Sequence, residues 1–290
     1  MSAALPAIPC IGAAHWDIIG HVNGAAGRGA DLPGRVRRAP GGVALNLALA
    51  LRREGLAAAL IAAVGDDVAA TELEAALSAR GVDCRGLSRV RGGVTGAYVG
   101  IEDAGGLVAA VADTRAADAA GRALLRGLAA HPRARIAVVD GNLSPGVLTA
   151  LAEMEAPGTR MLCVAGASPA KAPVLRAVLA HPRVVLYLNR AEAAALCAQQ
   201  PCADTATAAR ALRDAGAAAA LVTDGAAPVA WADAAGCIRA TPPTVRAKRV
   251  TGAGDALMAA HLAARLRGLD ATEALALALA RAAEHISGSE

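Results

Sequence analysis

From Ile136 onward the chain alternates short apolar runs with helix-forming stretches, and this alternation limits the possible folds more than any single motif. Ile136–Asp140, Met161–Val164, Val184–Leu188 and Ala219–Thr223 are apolar at almost every position, and Val229–Trp231 follows a turn at Asp224-Gly225. Helical composition lies between them, as in Val147–Met154 and residues 204–215. A strand apolar on both faces needs cover on both faces, so the pattern predicts an α/β fold with a mostly parallel central sheet between helices. Ile8–Gly12 and Leu60–Val64 read as earlier strands, and Ala69–Arg80 as an amphipathic helix ending at Gly81. With no linker and no internal repeat of roughly 20–50 residues, residues 1–290 are expected to form a single domain.

Two stretches break the pattern. Residues 22–40 are rich in Gly, Arg and Pro, and residues 92–111 contain short β-prone pieces separated by Gly and Asp-Ala-Gly-Gly, which reads as hairpins. Segments 13–40 and 92–113 are therefore expected to form a small β lid beside the main layer. Asp113 closes the second segment, either as a ligand contact reached from the lid or as a solvated turn acid.

Composition removes several classes of function. Aromatic residues make up only 1% of a chain that is 55% hydrophobic, which leaves no stacking platform for single-stranded nucleic acid. The net charge of +4 comes from scattered arginines without a basic block, which suits a small anionic ligand better than nucleic acid. No uninterrupted apolar run reaches membrane-spanning length, and the opening MSAALPAIPC lacks the basic start of a signal peptide, so a cytoplasmic protein with no membrane partner is expected. The six cysteines are dispersed without a CxxC pair and read as small buried hydrophobes in a reducing compartment.

The chemistry concentrates at a few positions. Thr251-Gly252-Ala253-Gly254-Asp255 precedes a run of helix formers, which directs the amides of a flexible turn and a helix start toward one point, a site for an anion. A helix start also favours negative charge, so Asp255 is expected to ionise easily; a simple N-cap is the plainer reading. Asp17, just after the first strand, is placed at that strand's carboxyl end, where open α/β sheets bind ligands; a turn or helix cap is the alternative. Gly41-Gly42 feed a helix whose first turn carries Asn46, a donor and acceptor for a polyol, although the glycines alone read as a tight turn. Asn189 and Glu192, three apart at a helix start, share a face and suit Mg²⁺ held through water and phosphates; a solvent-facing cap with a first-turn acid is the plainer reading of the pair alone. Walker P-loop, Rossmann, HExxH and GxSxG patterns are absent.

Taken together and in order, Asp17, PGGVALN at 40–46, NRAE at 189–192, Thr223-Asp224-Gly225 and VTGAGDAL at 250–257 resemble the ribokinase-like (PfkB) carbohydrate kinase family over nearly the whole chain. The segments LPGRVRRAPGGVALN, VVDGNLSPGVL and VTGAGDALMA are most similar to the pseudouridine kinases of that family. The resemblance implies a ribokinase-like three-layer α/β/α fold and phosphorylation of a 5′-hydroxyl by ATP with Mg²⁺, leaving K⁺ open as a further ion. It implies that Asp17, Gly41, Gly42 and Asn46 hold ribose, that Asp113 and Asn142 lie near the nucleoside, and that Asn189, Thr223 and Gly225 line the nucleotide. Glu192 would organise Mg²⁺ through water, Gly252, Ala253 and Gly254 would form the anion hole, and Asp255 would take the proton from the attacking hydroxyl. A homodimer through the lid is implied as well. Another nucleoside, a sugar such as ribose or fructose, or a non-catalytic binding protein of the same fold stay open.

Overall fold

A computed structural model describes residues 6–154, 160–179, 181–198, 202–247 and 251–288. Arg249 and Val250, which lead into the C-terminal glycine turn, lie outside them. The chain opens with β1 (Ile8–Ile11), buried throughout, and leaves the main layer through β2 (His15–Val22) and β3 (Gly34–Gly41). It returns in helix α1 (Val43–Arg53) and re-enters the sheet as β4 (Ala58–Ile61). A short parallel pair, β5 (Ala63–Gly65) and β6 (Ser88–Val90), flanks α2 (Val68–Ser78). The hairpin β7 (Ala97–Asp103) and β8 (Gly106–Asp113) follows, then α3 (Arg115–Ala120) and a 3-10 stretch, Gly121–Ala130. The regular half contains β9 (Ile136–Asp140), α4 (Pro145–Met154), β10 (Met161–Ala165), β11 (Val184–Asn189), α5 (Arg190–Cys197), α6 (Thr205–Asp214) and β12 (Ala219–Thr223). β13 (Val229–Asp233), β14 (Gly236–Ala240), α7 (Ala253–Leu266) and α8 (Ala271–Ser287) complete it.

Eight strands form the central sheet in the order β14-β13-β12-β11-β10-β9-β1-β4, and only β13 and β14 run antiparallel to their neighbours. Alternate residues of each strand supply opposite cores. Cys10, Leu60, Val138, Cys163 and Leu221 pack with α1, α7 and α8, whereas Ile11, Ile61, Val139, Val164 and Val222 pack with α4, α5 and α6. That division is why the strands read as uninterrupted apolar runs. The order reverses between β1 and β9, because the chain builds outward from β1 through β4 on one side and through β9 on the other. Such a reversal opens a crevice at the carboxyl ends of the two strands.

α7 is buried at every position from Ala256 to Leu262 and on to Ala264, and it packs between α1 and α8. Its alanines let neighbouring backbones approach closely. On α1, Leu45, Leu47 and Leu51 are wholly buried, each worth about 1.5–3 kcal/mol. These contacts hold the first turns of α1 and α7 in fixed positions. Among the described residues no helix is long and apolar enough to cross a membrane.

The second sheet has the order β3-β2-β7-β8 and is built from the two stretches that broke the alternation. β3 is exposed at its first six positions and β8 at its first seven, so hydrophobic periodicity carries little trace of either. Three local expectations are corrected. Asp17 does not end β1 but lies within β2, on the small sheet, because the chain is extended again from His15. The run Leu60–Val64 divides into β4 and β5, with β5 pairing β6 instead of the main sheet. The helix expected after β10 is a 3-10 stretch, Ala172–Val178, with proline in its first turn.

Candidate active site

The start of α7 provides the first half of the site. Gly252 is the N-cap in a left-handed conformation, φ 86° and ψ 0°, and no side chain bonds to the cap. The first-turn amides therefore point outward without a side-chain acceptor, as an anion site requires. His285 on α8 anchors the approach to this turn: its Nε2 lies 2.9 Å from the Thr251 carbonyl and donates to it, since a carbonyl only accepts.

Asp255 sits half-buried in this turn. Burial, followed by the negative charge of Asp140, pushes its carboxyl up to about 7. This corrects the expectation of easy ionisation, because loss of solvent outweighs the favourable field of the helix start. A carboxylate held near neutrality is suited to accepting a proton.

Asn189, Glu192, Thr223, Gly254 and Asp255 line one cavity of about 180 Å³, together with Gly166. Asn189 ends β11 beside Thr223 of β12, with which it is in register. Asn189 and Glu192 form a reciprocal capping box on α5: the Glu192 amide donates to Asn189 Oδ1 at 2.9 Å, and the Asn189 amide donates to Glu192 Oε2 at 2.8 Å. The cap is formed, and Glu192 lines the cavity as well. Glu192 is only 5% exposed, and burial raises its pKa despite the Asn189 amide. Gly166 makes room for it, as a Cβ there would collide with the Glu192 carboxylate. Gly225, in a left-handed turn at φ 56°, lines a neighbouring opening with Asn189, Arg190 and Asp224. Arg190 and Asp224 are joined by an ion pair at 2.6 Å.

The other half of the site lies at the root of the small sheet. Gly41 faces Asp17 so closely that a Cβ would overlap its carboxylate, and Gly42, at φ 104°, approaches the Ala13 carbonyl in the same way. Asn46 lies one turn into α1, where its amide donates to the Gly42 carbonyl at 2.8 Å. Asp17, Gly41 and Gly42 are thus brought together at the start of α1, with Asn46 one turn along the helix. Asp113 is placed at the same end of the small sheet, where its backbone carbonyl and the His15 side chain flank Gly96. Its carboxylate is engaged by Arg115 at 2.6 Å and 2.9 Å, which holds its pKa down at about 2. Asn142 is likewise committed within the protein, donating to Asp140 Oδ1 and accepting from Lys171 Nζ at 2.7 Å.

Asp140 ends β9 with no exposed surface, and burial raises its pKa, offset in part by the Ala13 and Asn142 donors and by Lys171. Its carboxylate accepts from the Ala13 amide at 3.0 Å, the Asn142 amide at 2.8 Å and Asn142 Nδ2 at 2.9 Å. Sequence reasoning passed over Asp140, His15, Gly166 and Lys171. An acid closing an otherwise apolar strand was the available signal for Asp140. His15, whose Nδ1 lies 3.1 Å from Asp17 Oδ1, and the remote Gly166 and Lys171 carried none.

Among the described residues no group of three or more His, Cys, Asp or Glu could enclose a metal. The donors lining the cavity are oxygens, led by the Glu192 carboxylate in its glycine-made recess, which suits a hard cation keeping most of its water.

The profile of the pfkB family of carbohydrate kinases matches residues 6–289. A carbohydrate kinase from Agrobacterium tumefaciens is 31% identical, with a TM-score of 0.82 over 96% of this chain and 90% of that one. The ribokinase of Arabidopsis thaliana, solved with ribose and ATP, is 19% identical with a TM-score of 0.81 over 97% and 93% of the two chains. The ribokinase of Cryptococcus neoformans, solved with ADP, is 18% identical with a TM-score of 0.76 over 98% and 94%. No curated protein matches the chain.

Proposed function

Because the chain belongs to the pfkB family of carbohydrate kinases, we propose that it transfers the terminal phosphoryl group of ATP to the 5′-hydroxyl of pseudouridine. The observation that carries the transfer is the shared cavity: a half-buried acid with a pKa near neutrality, an amide turn without a side-chain cap, and Glu192 with Asn189 and Thr223 on the facing wall. The choice of pseudouridine rests on the segments containing Gly42, Asn142 and Asp255 that resemble the pseudouridine kinases of the family.

In this reading Asp17 and Asn46 hold the ribose hydroxyls, with Gly41 and Gly42 allowing the sugar to approach the backbone. Asp113 and Asn142 lie toward the base. Asp255 accepts the proton of the 5′-hydroxyl as that oxygen bonds to phosphorus and the bond from phosphorus to the ADP oxygen breaks. Because phosphoryl transfer is loose, the acid chiefly orients the nucleophile. The amides of Ala253, Gly254 and Asp255 face the charge on the moving phosphoryl group, with Gly252 shaping the turn. Thr223 and Gly225 line the nucleotide, and Asn189 and Glu192 would hold Mg²⁺ through water. Bound there, the ion would neutralise charge on the phosphate oxygens. Exposed Val36, Val99 and Val111 on the small sheet support a homodimer through that sheet, which would act as the lid.

ADP release measured with pseudouridine, uridine, adenosine, ribose and fructose tests the proposal. Turnover is expected to be fastest with pseudouridine. Preference for ribose or fructose would replace the substrate and keep the chemistry, whereas binding without ADP release would leave a ligand-binding protein.

A further inference from the structure

The crevice at the sheet reversal is spanned by one side chain. β1 and β9 are neighbours there, β1 runs into the Gly12–Ala14 turn, and β2 of the small sheet departs directly from it. Asp140, at the end of β9, accepts the Ala13 amide across that gap, and its other oxygen is held by the amide and side chain of Asn142, itself braced by Lys171. The fit is close: a Cβ on Gly12 would overlap Asp140, so the turn lies directly on the carboxylate. The same turn supports the acceptor side, because the Ala13 carbonyl receives the Leu45 amide and sits against Gly42. A buried carboxylate with three donors is costly to leave half-satisfied, so the arrangement holds a single geometry.

We propose that Asp140 is a positioning residue of the phosphoryl-transfer site: it fastens the turn that leads into the strand of Asp17 and abuts Gly42 to the strand end at the sheet reversal, and so sets the acceptor hydroxyl against Asp255. The inference rests on the transfer reading above for its consequence, but the strut itself is a property of the fold. Asp140 is also the charged neighbour of Asp255 that raises its pKa after burial; Cys10 of β1, Tyr187 of β11 and Glu192 of α5 are the other titratable groups around that acid or its cavity.

The test is Asp140→Asn, which keeps shape but turns one acceptor into a donor facing another donor. Hydrogen exchange of the Ala13 amide is expected to quicken by about tenfold or more while the amides of β10 and β11 hold their protection. In the enzyme assay kcat/KM for the acceptor is expected to fall on the order of 100-fold, with the KM for ATP within about twofold of the parent. The acid limb of the rate profile is expected to move to lower pH, since the charge raising the Asp255 pKa is gone. A purely structural role would lower stability and leave kcat/KM for the acceptor in the folded variant within about twofold of the parent. Unchanged exchange at Ala13 overturns the proposal, as does an unchanged kcat/KM for the acceptor in the folded variant. If Asp140→Asn does not fold, Asn142→Ala at an exposed position decides by the same exchange measurement, and unchanged protection again overturns it. Because exchange needs no turnover, a parent inactive on every acceptor would sink the kinase reading and leave the strut to be judged separately.

Discussion

Asn189 and Glu192 hold each other across the first turn of α5, each side chain accepting the other's amide, at 2.9 and 2.8 Å. The acid is therefore fixed in orientation before any ligand arrives, with its carboxylate in the recess left by Gly166. Glu192→Gln keeps an acceptor for the Asn189 amide and removes only the charge. Its stability should stay within about 1 kcal/mol of the parent, while activity at limiting Mg²⁺ falls by about 10–100-fold. A melting curve and a Mg²⁺ titration of the rate check this together; an unaltered Mg²⁺ dependence would remove the metal role from Glu192.

Asp255→Asn should lower kcat by about 10²–10⁴-fold and leave nucleoside binding nearly intact, measured by ADP release and calorimetry. In the parent, kcat/KM should rise with pH through about 7 as Asp255 loses its proton. The stability effect has the opposite sense. A carboxyl raised from 3.8 to about 7 on folding stabilises the protonated native state at low pH, and that contribution is lost as pH rises through 7. Asp255→Asn should accordingly melt above the parent at pH 8, with the advantage shrinking toward pH 4.

The two glycines of the α7 turn should behave differently. Gly254 has nothing within 4 Å of where a Cβ would stand, so Gly254→Ala should fold with unchanged stability. Its activity should nonetheless drop, because a methyl group would stand where the phosphoryl group must approach the amides. Gly252, at φ 86°, should lose about 1 kcal/mol or more as alanine, since its conformation is unfavourable for a residue with a Cβ. Parallel melting and rate measurements separate them. Full activity in Gly254→Ala would be incompatible with an anion site at this turn.

His261 lies buried on α7, its Nδ1 3.0 Å from the Tyr187 hydroxyl and its ring 4.5 Å from that of Trp231. Burial, with a smaller push from Arg265, lowers its pKa from 6.5 to about 4. The group is neutral in the fold, so its contribution is complete above the unfolded value of 6.5 and is lost as pH falls from there to 4. His261→Gln should show a flatter dependence of Tm on pH over that interval. A slope equal to the parent's would place the acid sensitivity elsewhere.

The parallel layer and the start of α7 were legible in the chain alone because their causes are local or repeated. Strands covered on both faces must be apolar along their length, as residues 136–139 and 219–222 are, and Gly252 and Gly254 ahead of a helix mark an amide turn. The small sheet was legible as hairpins but not strand by strand, because β3 and β8 are too exposed to carry a hydrophobic period. The ionisation of Asp255 was beyond the sequence: helix position predicts an easily lost proton, whereas desolvation and the charge of Asp140 decide the reverse, and that charge is brought in from β9. Gly166 against Glu192, and Asp140 against Ala13, are likewise encounters between residues far apart in the chain. Residue type and near neighbours determined the layers, the turns and the candidate acid. Long-range packing determined which carboxylates meet and how strongly each holds its proton, since burial and charge act through space and leave no period in the sequence.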